Sequence, residues 1–324
     1  MVNKTDNSTK GKLLTILRSK QGTPCSGTKL AHALGLSRVA IWKALHELIT
    51  AGYPIRAEKT GYTYESQHED FLLPAEFGSR EAYITYADTV SSTMDMALKY
   101  AVQGAPDGSV FIAEHQTQGR GRKSRGWVSL RGNLLFTLLI RPKAPFYATY
   151  TLIRTAQLAL AMILQDICPR AEIFAKWPND ILINRKKAAG ILAEGMIASD
   201  ELSWLSLGIG INVKHKTDDP HTTCLSEACT ALPPRAGILT RFLDTFTKAK
   251  TQPEFLTAFE KDHALWKKKN LICLLTLPDG TIKKGCIKKV DNLGQLHFLP
   301  LDNRERTLAV SASEASLEYY EYHD

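Results

Sequence analysis

Gly119-Arg120-Gly121-Arg122-Lys123-Ser124-Arg125-Gly126-Trp127 packs four cations, three glycines and a closing tryptophan into nine residues. Fixed positive charge on a chain free to approach its ligand closely suits a polyanion, and an indole beside it suits a flat base. Apolar Ser109-Val110-Phe111-Ile112-Ala113 leads in, and Asn133-Leu134-Leu135-Phe136-Thr137-Leu138-Leu139-Ile140 leads out. Both read as buried strands, so the loop has rigid anchors and reads as a nucleotide loop rather than a solvated basic turn. The familiar alternatives fail. No G-x-x-x-x-G-K-[ST] occurs, and Gly119-x-Gly121 meets Ser124 where a dinucleotide fingerprint has its third glycine. Gly208-x-Gly210 fails in the same way, and His46-Glu47 has no second histidine at 50 for a zincin helix.

A second cluster, Lys176-Trp177-Pro178-Asn179-Asp180, is followed by Ile181-Leu182-Ile183 and by Lys186-Lys187-Ala188-Ala189-Gly190-Ile191-Leu192-Ala193-Glu194. Alternation about Ile173–Ile183 and Ala189–Glu194 predicts a hairpin turned at Asn184-Arg185, with Lys, Asn and Asp at its mouth. A packed Trp-Pro corner with an Asn-Asp turn would look similar, but it needs no lysine on both flanks.

These two clusters, Lys186–Glu194 and Gly208-Ile209-Gly210-Ile211-Asn212-Val213 stand in an order and at spacings that resemble the biotin protein ligases; nearly the whole chain resembles the bifunctional form that also represses the biotin operon. The resemblance implies a multidomain α/β chain: an N-terminal winged helix-turn-helix, a central mixed α/β ligase domain and a C-terminal SH3-like β-barrel. It implies biotin around Ser92, Thr93, Gln116, Arg120, Lys187 and Gly190, with Ile191 nearby. ATP and the adenylate fall to Gly119, Gly121, Arg122, Arg125, Trp127, Lys176, Asn179 and Asn212. Met94 stands where the family often has asparagine, and Ser124 where the commoner motif has a second glycine.

The chemistry explains the cations. A carboxylate is unreactive towards an amine, because its leaving group would be an oxide; transfer to AMP makes a mixed anhydride. Forming that anhydride brings a carboxylate against an α-phosphate, so the protein has chiefly to cancel repulsion and align the pair. Lys187, Arg120 and Arg122 suit that role, and Asp180 suits magnesium or the attacking lysine. A loop that closes on the adenylate would shield it from water until a carrier lysine arrives. No metal site is read from the protein alone. ATP, magnesium and biotin as substrate are the ligands implied.

The N-terminal segment fits the bifunctional branch. Lys10–Ser19 reads as a helix with Leu13, Leu14, Ile16 and Leu17 inward, and Ser26–Ala33 as a second, ended by Gly35. Ser37 caps a third, running to about Ala51, whose Ile41, Leu45, Leu48 and Ile49 face the core. Ser37, Arg38, Trp42, Lys43 and His46 are left outward. The short Gly35 turn suits a helix-turn-helix, and Tyr53–Ala57 with Tyr62–Tyr64 reads as a hairpin wing. Residues 1–66 hold ten Lys and Arg against four Asp and Glu, so they carry +6 of the net +8, the footprint of a nucleic-acid reader. Arg38 and Lys43 are assigned to the major groove and Arg56 and Lys59 to phosphates, with Ser37 and Trp42 on the same expected DNA face. Trp42, a large ring on that face, could meet a thymine methyl or pack on a neighbouring domain.

A chain of 324 residues is long for one average core. Its division is read as 1–66, a linker at 67–80, a catalytic domain at 81–269 and the C-terminal domain at 270–324. Ser92–Ala97 opens a helix, Tyr150–Gln165 makes a long one, and Ser203–Val213 a strand. Short runs between 271 and 310 give the barrel, and Glu314 lies in an S-x-E-x-S-L segment. The polar N-terminus and the absence of a long apolar run place the chain in the cytoplasm without a membrane partner. Six cysteines without C-x-x-C spacing read as reduced and structural. Partners implied are the biotin carboxyl carrier protein, biotin operon DNA and a second copy of the chain on binding biotinyl-AMP. A lipoate or octanoate ligase, and a sensing repressor without catalysis, are the alternatives.

Overall fold

The computed structural model describes residues 9–65, 70–142, 144–145, 149–198, 201–268, 271–302 and 306–319. Linker residues 66–69 and boundary residues 269–270 lie outside them. The chain divides into two compact units, one running to Tyr86 and including Pro234–Ala236, the other holding the rest.

In the first unit, helices α1 (Thr9–Ser19), α2 (Gly27–Leu34) and α3 (Arg38–Thr50) precede the hairpin β1 (Ile55–Glu58) and β2 (Gly61–Tyr64). The caps follow the sequence. Ser26 Oγ accepts from Lys29 N–H and Ser37 Oγ from Ala40 N–H, while Gly35 ends α2 at φ 64°. Ile41, Leu45 and Leu48 of α3 are buried with Leu13 and Leu17 of α1, the expected apolar face. Residues 71–75, within the expected linker, join this core through Leu73 and Ala75. Asp70 there receives the Arg235 guanidinium at 3.1 Å.

In the second unit, β3 (Ile84–Val90), β4 (Val110–Gln116), β5 (Leu134–Ile140), β6 (Ile173–Lys176), β7 (Asp180–Ile183), β8 (Lys186–Ala198) and β9 (Glu201–Ile211) form a seven-stranded sheet in the order β3-β4-β5-β9-β8-β7-β6. Pairings from β4 through β6 are antiparallel. Thr117 N–H bonds to Val90 O and Gln118 N–H to Ser91 O, advancing in the same sense past the ends of both strands, so the sheet is mixed as expected. Helix α4 (Thr93–Val102) packs on β4, β5 and β9, and α5 (Thr149–Ile167) on β6 and β7. The turn between β7 and β8 is Asn184-Arg185, with φ of 47° and 67°, the left-handed pair a two-residue hairpin requires.

Five C-terminal strands, β10 (Ile272–Thr276), β11 (Ile282–Val290), β12 (Leu296–Pro300), β13 (Leu308–Val310) and β14 (Ser316–Tyr319), form an antiparallel sheet in the order β13-β12-β11-β10-β14. The small β domain is therefore present, with one strand, β14, beyond those read in the sequence.

One expectation fails. Cys168 and Cys229 are disulfide-bonded, Cα to Cα 4.9 Å, while the other four cysteines are free. They lie 61 residues apart, a spacing with no local signature. Among the described residues no helix is long and apolar enough to cross a membrane.

Gly61 holds the wing against the helices. It sits at φ 139°, and a Cβ there would lie 2.4 Å from Cys25 O. Gly61→Ala is expected to destabilise the N-terminal unit by about 1–3 kcal/mol through strain and displacement of that contact. Thermal unfolding followed by circular dichroism checks this; an unchanged midpoint would refute the tight approach.

Candidate active site

One cleft gathers the motif loops. Its lining includes Ser92, Thr93, Met94 and Gln116 on one side and Arg120, Arg122, Lys123, Arg125 and Trp127 of the glycine-arginine loop on another. Asn179, Asp180, Lys187 and Gly190 complete it from β7, β8 and the turn before β7. Five cationic side chains face one carboxylate, Asp180, among the described lining residues. Such an imbalance favours an anion, since focused like charge raises the local potential.

Each wall has a structural cause. Ser92 caps α4, its Oγ accepting from Met94 N–H at 3.1 Å, and so lies at a positive helix end. Thr93 donates to Gln116 Oε1 through both N–H (2.7 Å) and Oγ1 (3.1 Å), which fixes the carboxamide. Thr137 of β5 donates in turn to Thr93 Oγ1 at 2.8 Å. The polar end of the cleft is thereby preorganised by buried bonds that are fully paired.

The floor is glycine. Register places Gly190 of β8 opposite Gly210 of β9, and the Trp127 indole lies against the pair. A Cβ on Gly210 would come 2.4 Å from Trp127 Cε2, and one on Gly190 3.0 Å from Cζ3. Gly208, next along β9, faces Met94, whose Sδ would stand 2.6 Å from a Cβ there. Gly208-x-Gly210 thus fails as a dinucleotide turn because it lies flat in a strand, where its lack of side chain admits the indole and the thioether. Trp127 Nε1 is buried without a partner, a donor available to a ligand.

The cations are tethered rather than loose. Arg120 bridges Asp95 (2.7 Å) and Glu194 (3.1 Å), spanning α4 and β8. Arg122 donates to Asn179 Oδ1 at 3.1 Å and to the Ala312 carbonyl of the C-terminal domain. Burial draws its guanidinium below the ordinary value, opposed by Asp180, and an arginine remains charged nonetheless. Lys187 Nζ stands 2.8 Å from Asp180 Oδ1 and 5.6 Å from the Trp127 ring centroid, an ion pair by distance without hydrogen-bond geometry. The loop curls back on itself through Trp127 N–H to Gly119 O and Gly121 N–H to Arg125 O, with Lys123 and Ser124 at φ 54° and 56°. Ser124 therefore occupies a conformation that glycine would adopt more readily.

Not every residue assigned from sequence reaches the cleft. Gly119 backs the loop, with its Cβ position 2.5 Å from Trp127 O. Lys176 lies outside the lining, its ammonium 5.5 Å from the Tyr319 ring centroid and its pKa lowered by burial. Asn212 is buried behind the floor, donating to Thr223 O at 3.1 Å. Asp95, Gln157 and Ala312 were given no site role from sequence, because an isolated carboxylate, amide or carbonyl carries no motif; Glu194 closes a quoted motif but was given no role.

On the N-terminal unit, Arg38, Trp42, Lys43 and Lys59 are exposed. Trp42 is 58% exposed and stacks on His46, ring centroids 5.5 Å apart. Val39, 73% exposed, extends this apolar strip. Glu47 is held by Lys10 at 2.9 Å, which offsets its charge beside the strip. Arg56 is engaged by Glu58 and Glu65 at 3.0 and 2.9 Å in the wing.

Gly210→Ala is expected to push the Trp127 indole off the floor into solvent, as overpacking a close contact does. Iodide should then quench a larger share of tryptophan emission than in the parent; equal quenching would contradict this packing.

Comparison with known proteins agrees with this geometry. The Biotin/lipoate A/B protein ligase family matches residues 86–212, and an HTH domain matches residues 10–63. The bifunctional ligase/repressor BirA of Bacillus spizizenii is 38% identical over 260 residues, 74% of this chain and 78% of that protein. Its Bacillus subtilis counterpart is 36% identical over 239 residues, 69% of this chain and 72% of its own. A biotin protein ligase from Aquifex aeolicus, solved in complex with biotin and ATP, aligns with TM-score 0.58 at 25% identity, covering 73% of this chain and 99% of its own. With that share of its length matched at that identity, and with a helix-turn-helix ahead of the ligase fold, the chain belongs to the bifunctional ligase/repressor branch of the biotin protein ligase family.

Proposed function

We propose that this protein joins biotin to ATP as biotinyl-5'-AMP, transfers the biotin to one lysine of the biotin carboxyl carrier protein, and represses biotin operon transcription with the adenylate as corepressor. The observation that carries the enzymatic half is the cleft itself, where five cations and one carboxylate surround a glycine floor and a fixed polar end. In the first step the biotin carboxylate attacks the α-phosphate and pyrophosphate leaves. Arg120, Arg122 and Lys187 neutralise the two approaching anions, and Ser92, Thr93 and Gln116 hold the ureido end so that the carboxylate points at them. In the second, a lysine amine attacks the anhydride carbonyl and AMP leaves. Trp127, Asn179 and Arg125 serve the nucleotide.

The single lining carboxylate suits magnesium, which binds through one or two carboxylates plus substrate phosphates. Asp180 would hold it, and it would supply neutralising charge at the phosphates. Asp180 meanwhile keeps Lys187 in place.

Domains at 1–66, 81–269 and 270–324 remain our functional division, with the C-terminal one closing the loop through Ala312. Arg38, Trp42 and Lys43 face DNA bases, Ser37 sets the helix start, and Lys59 meets phosphate. Arg56 would have to leave its carboxylate partners to do so. Beyond Ile191, among the described residues, the outer part of β8 pairs with β9 on one side, and Met196 and Ile197 there are 47% and 56% exposed. Such an open strand edge accepts a second copy of the chain.

Pyrophosphate exchange into ATP that depends on biotin is expected of the purified protein, with lipoate and octanoate inert; exchange with either of those instead would move the assignment. Arg122→Gly is expected to free the loop and release the adenylate, seen as loss of retained label on gel filtration and as indiscriminate protein labelling. Arg38→Ala should weaken operator binding and flatten its salt dependence. Biotin with ATP should raise the sedimenting mass towards a dimer. Unaltered operator affinity or mass would remove the corresponding half of this reading.

A further inference from the structure

The Lys176–Asp180 corner carries Asn179 and Asp180 to the cleft, and three bodies hold it. From β8, Ile191 N–H donates to Asn179 O at 2.9 Å and Asn179 Nδ2 donates to Ile191 O at 2.7 Å. From the C-terminal domain, Gly294 O accepts from Trp177 Nε1 at 3.1 Å. From α5 comes one polar side chain. Gln157, 0% exposed between Ala156 and Leu158, donates from Nε2 to Lys176 O at 2.7 Å and to Asp180 O at 2.8 Å.

Those two carbonyls are the two ends of the corner, because Lys176 and Asp180 face each other across the β6–β7 pairing. One amide therefore pins both strands at the point where they leave the sheet. Gln157 Oε1 is buried without a partner, which is destabilising. A leucine or alanine would avoid that cost on a helix whose neighbouring positions are apolar. The glutamine is explained by what its two N–H groups hold.

We propose that Gln157 is a positioning residue for adenylate formation. It acts through the backbone of Lys176 and Asp180 and so sets where the Asp180 carboxylate, with Lys187 beside it, stands relative to the phosphates. This rests on the ligase reading above. It touches no substrate, so its effect falls on the alignment of the reacting groups rather than on capture of biotin. An ångström of misplacement in such a site costs on the order of a hundredfold in rate.

The test uses the full chain in biotin-dependent pyrophosphate exchange. Gln157→Met, similar in length but without a donor, is expected to lower kcat by about tenfold to a hundredfold while biotin affinity measured without ATP changes less than about twofold. Gln157→Glu supplies a second and independent readout. Its carboxylate would turn two acceptors towards two carbonyl oxygens and push the corner away. This variant is expected to lower kcat at least as far as Gln157→Met does, again with biotin affinity measured without ATP within about twofold of the parent.

A Gln157→Met protein with the parental kcat would overturn the proposal. So would a Gln157→Glu protein with the parental kcat, and this second arm decides the matter if the methionine variant does not fold. Failure of the parent protein to exchange pyrophosphate would instead sink the ligase reading.

Discussion

Five cationic side chains have to share one cleft before any anion arrives, and their mutual repulsion is the constraint around which the second unit is arranged. Three of them are held by different parts of the chain. Arg120 is balanced by carboxylates on α4 and β8, Lys187 by Asp180, and Arg122 by neutral acceptors, the Asn179 amide oxygen and the Ala312 carbonyl. The difference has a chemical sense. A cation paired with a carboxylate has its field partly offset, whereas one held by dipoles does not. Arg122 is partly desolvated, and its hydrogen bonds run to neutral acceptors.

The same cleft needs a surface on which flat groups can lie. Cross-strand glycines supply it, and the indole of Trp127 uses it. The glycine-arginine loop therefore does two things in one conformation, placing Trp127 on the floor and Arg122 against Asn179. The C-terminal domain enters through Ala315 and Ser316 in the lining, the Tyr319 ring beside Lys176, and two carbonyls, Ala312 under Arg122 and Gly294 under Trp177. Both reach a motif residue, which gives that domain a part in shaping the site that its own sequence does not announce.

Much of this was legible beforehand because it is local. The caps Ser26, Ser37 and Ser92, the Gly35 stop, the Asn184-Arg185 turn and the apolar stripes of α1 and α3 depend on residues within four of one another, and the structure has them where the pattern puts them. The order and spacing of the ligase motifs fixed the site to one sheet in the same way. Gly208-x-Gly210 was rightly rejected as a dinucleotide turn on its local pattern, while its use depends on what strand β8 and the loop place above it.

The amino-acid order alone determined the three N-terminal helices, α4, α5, the wing and the β7–β8 hairpin, and the basic charge of residues 1–66, because helix capping, turn geometry and periodic burial are short-range. Only the tertiary structure decided which carboxylates restrain Arg120, that a carbonyl 190 residues away receives Arg122, that Cys168 meets Cys229, and that a lone buried glutamine ties both ends of the Lys176–Asp180 corner. Those contacts form between elements far apart in the chain, where the chain's order sets no distance and packing alone chooses the partner.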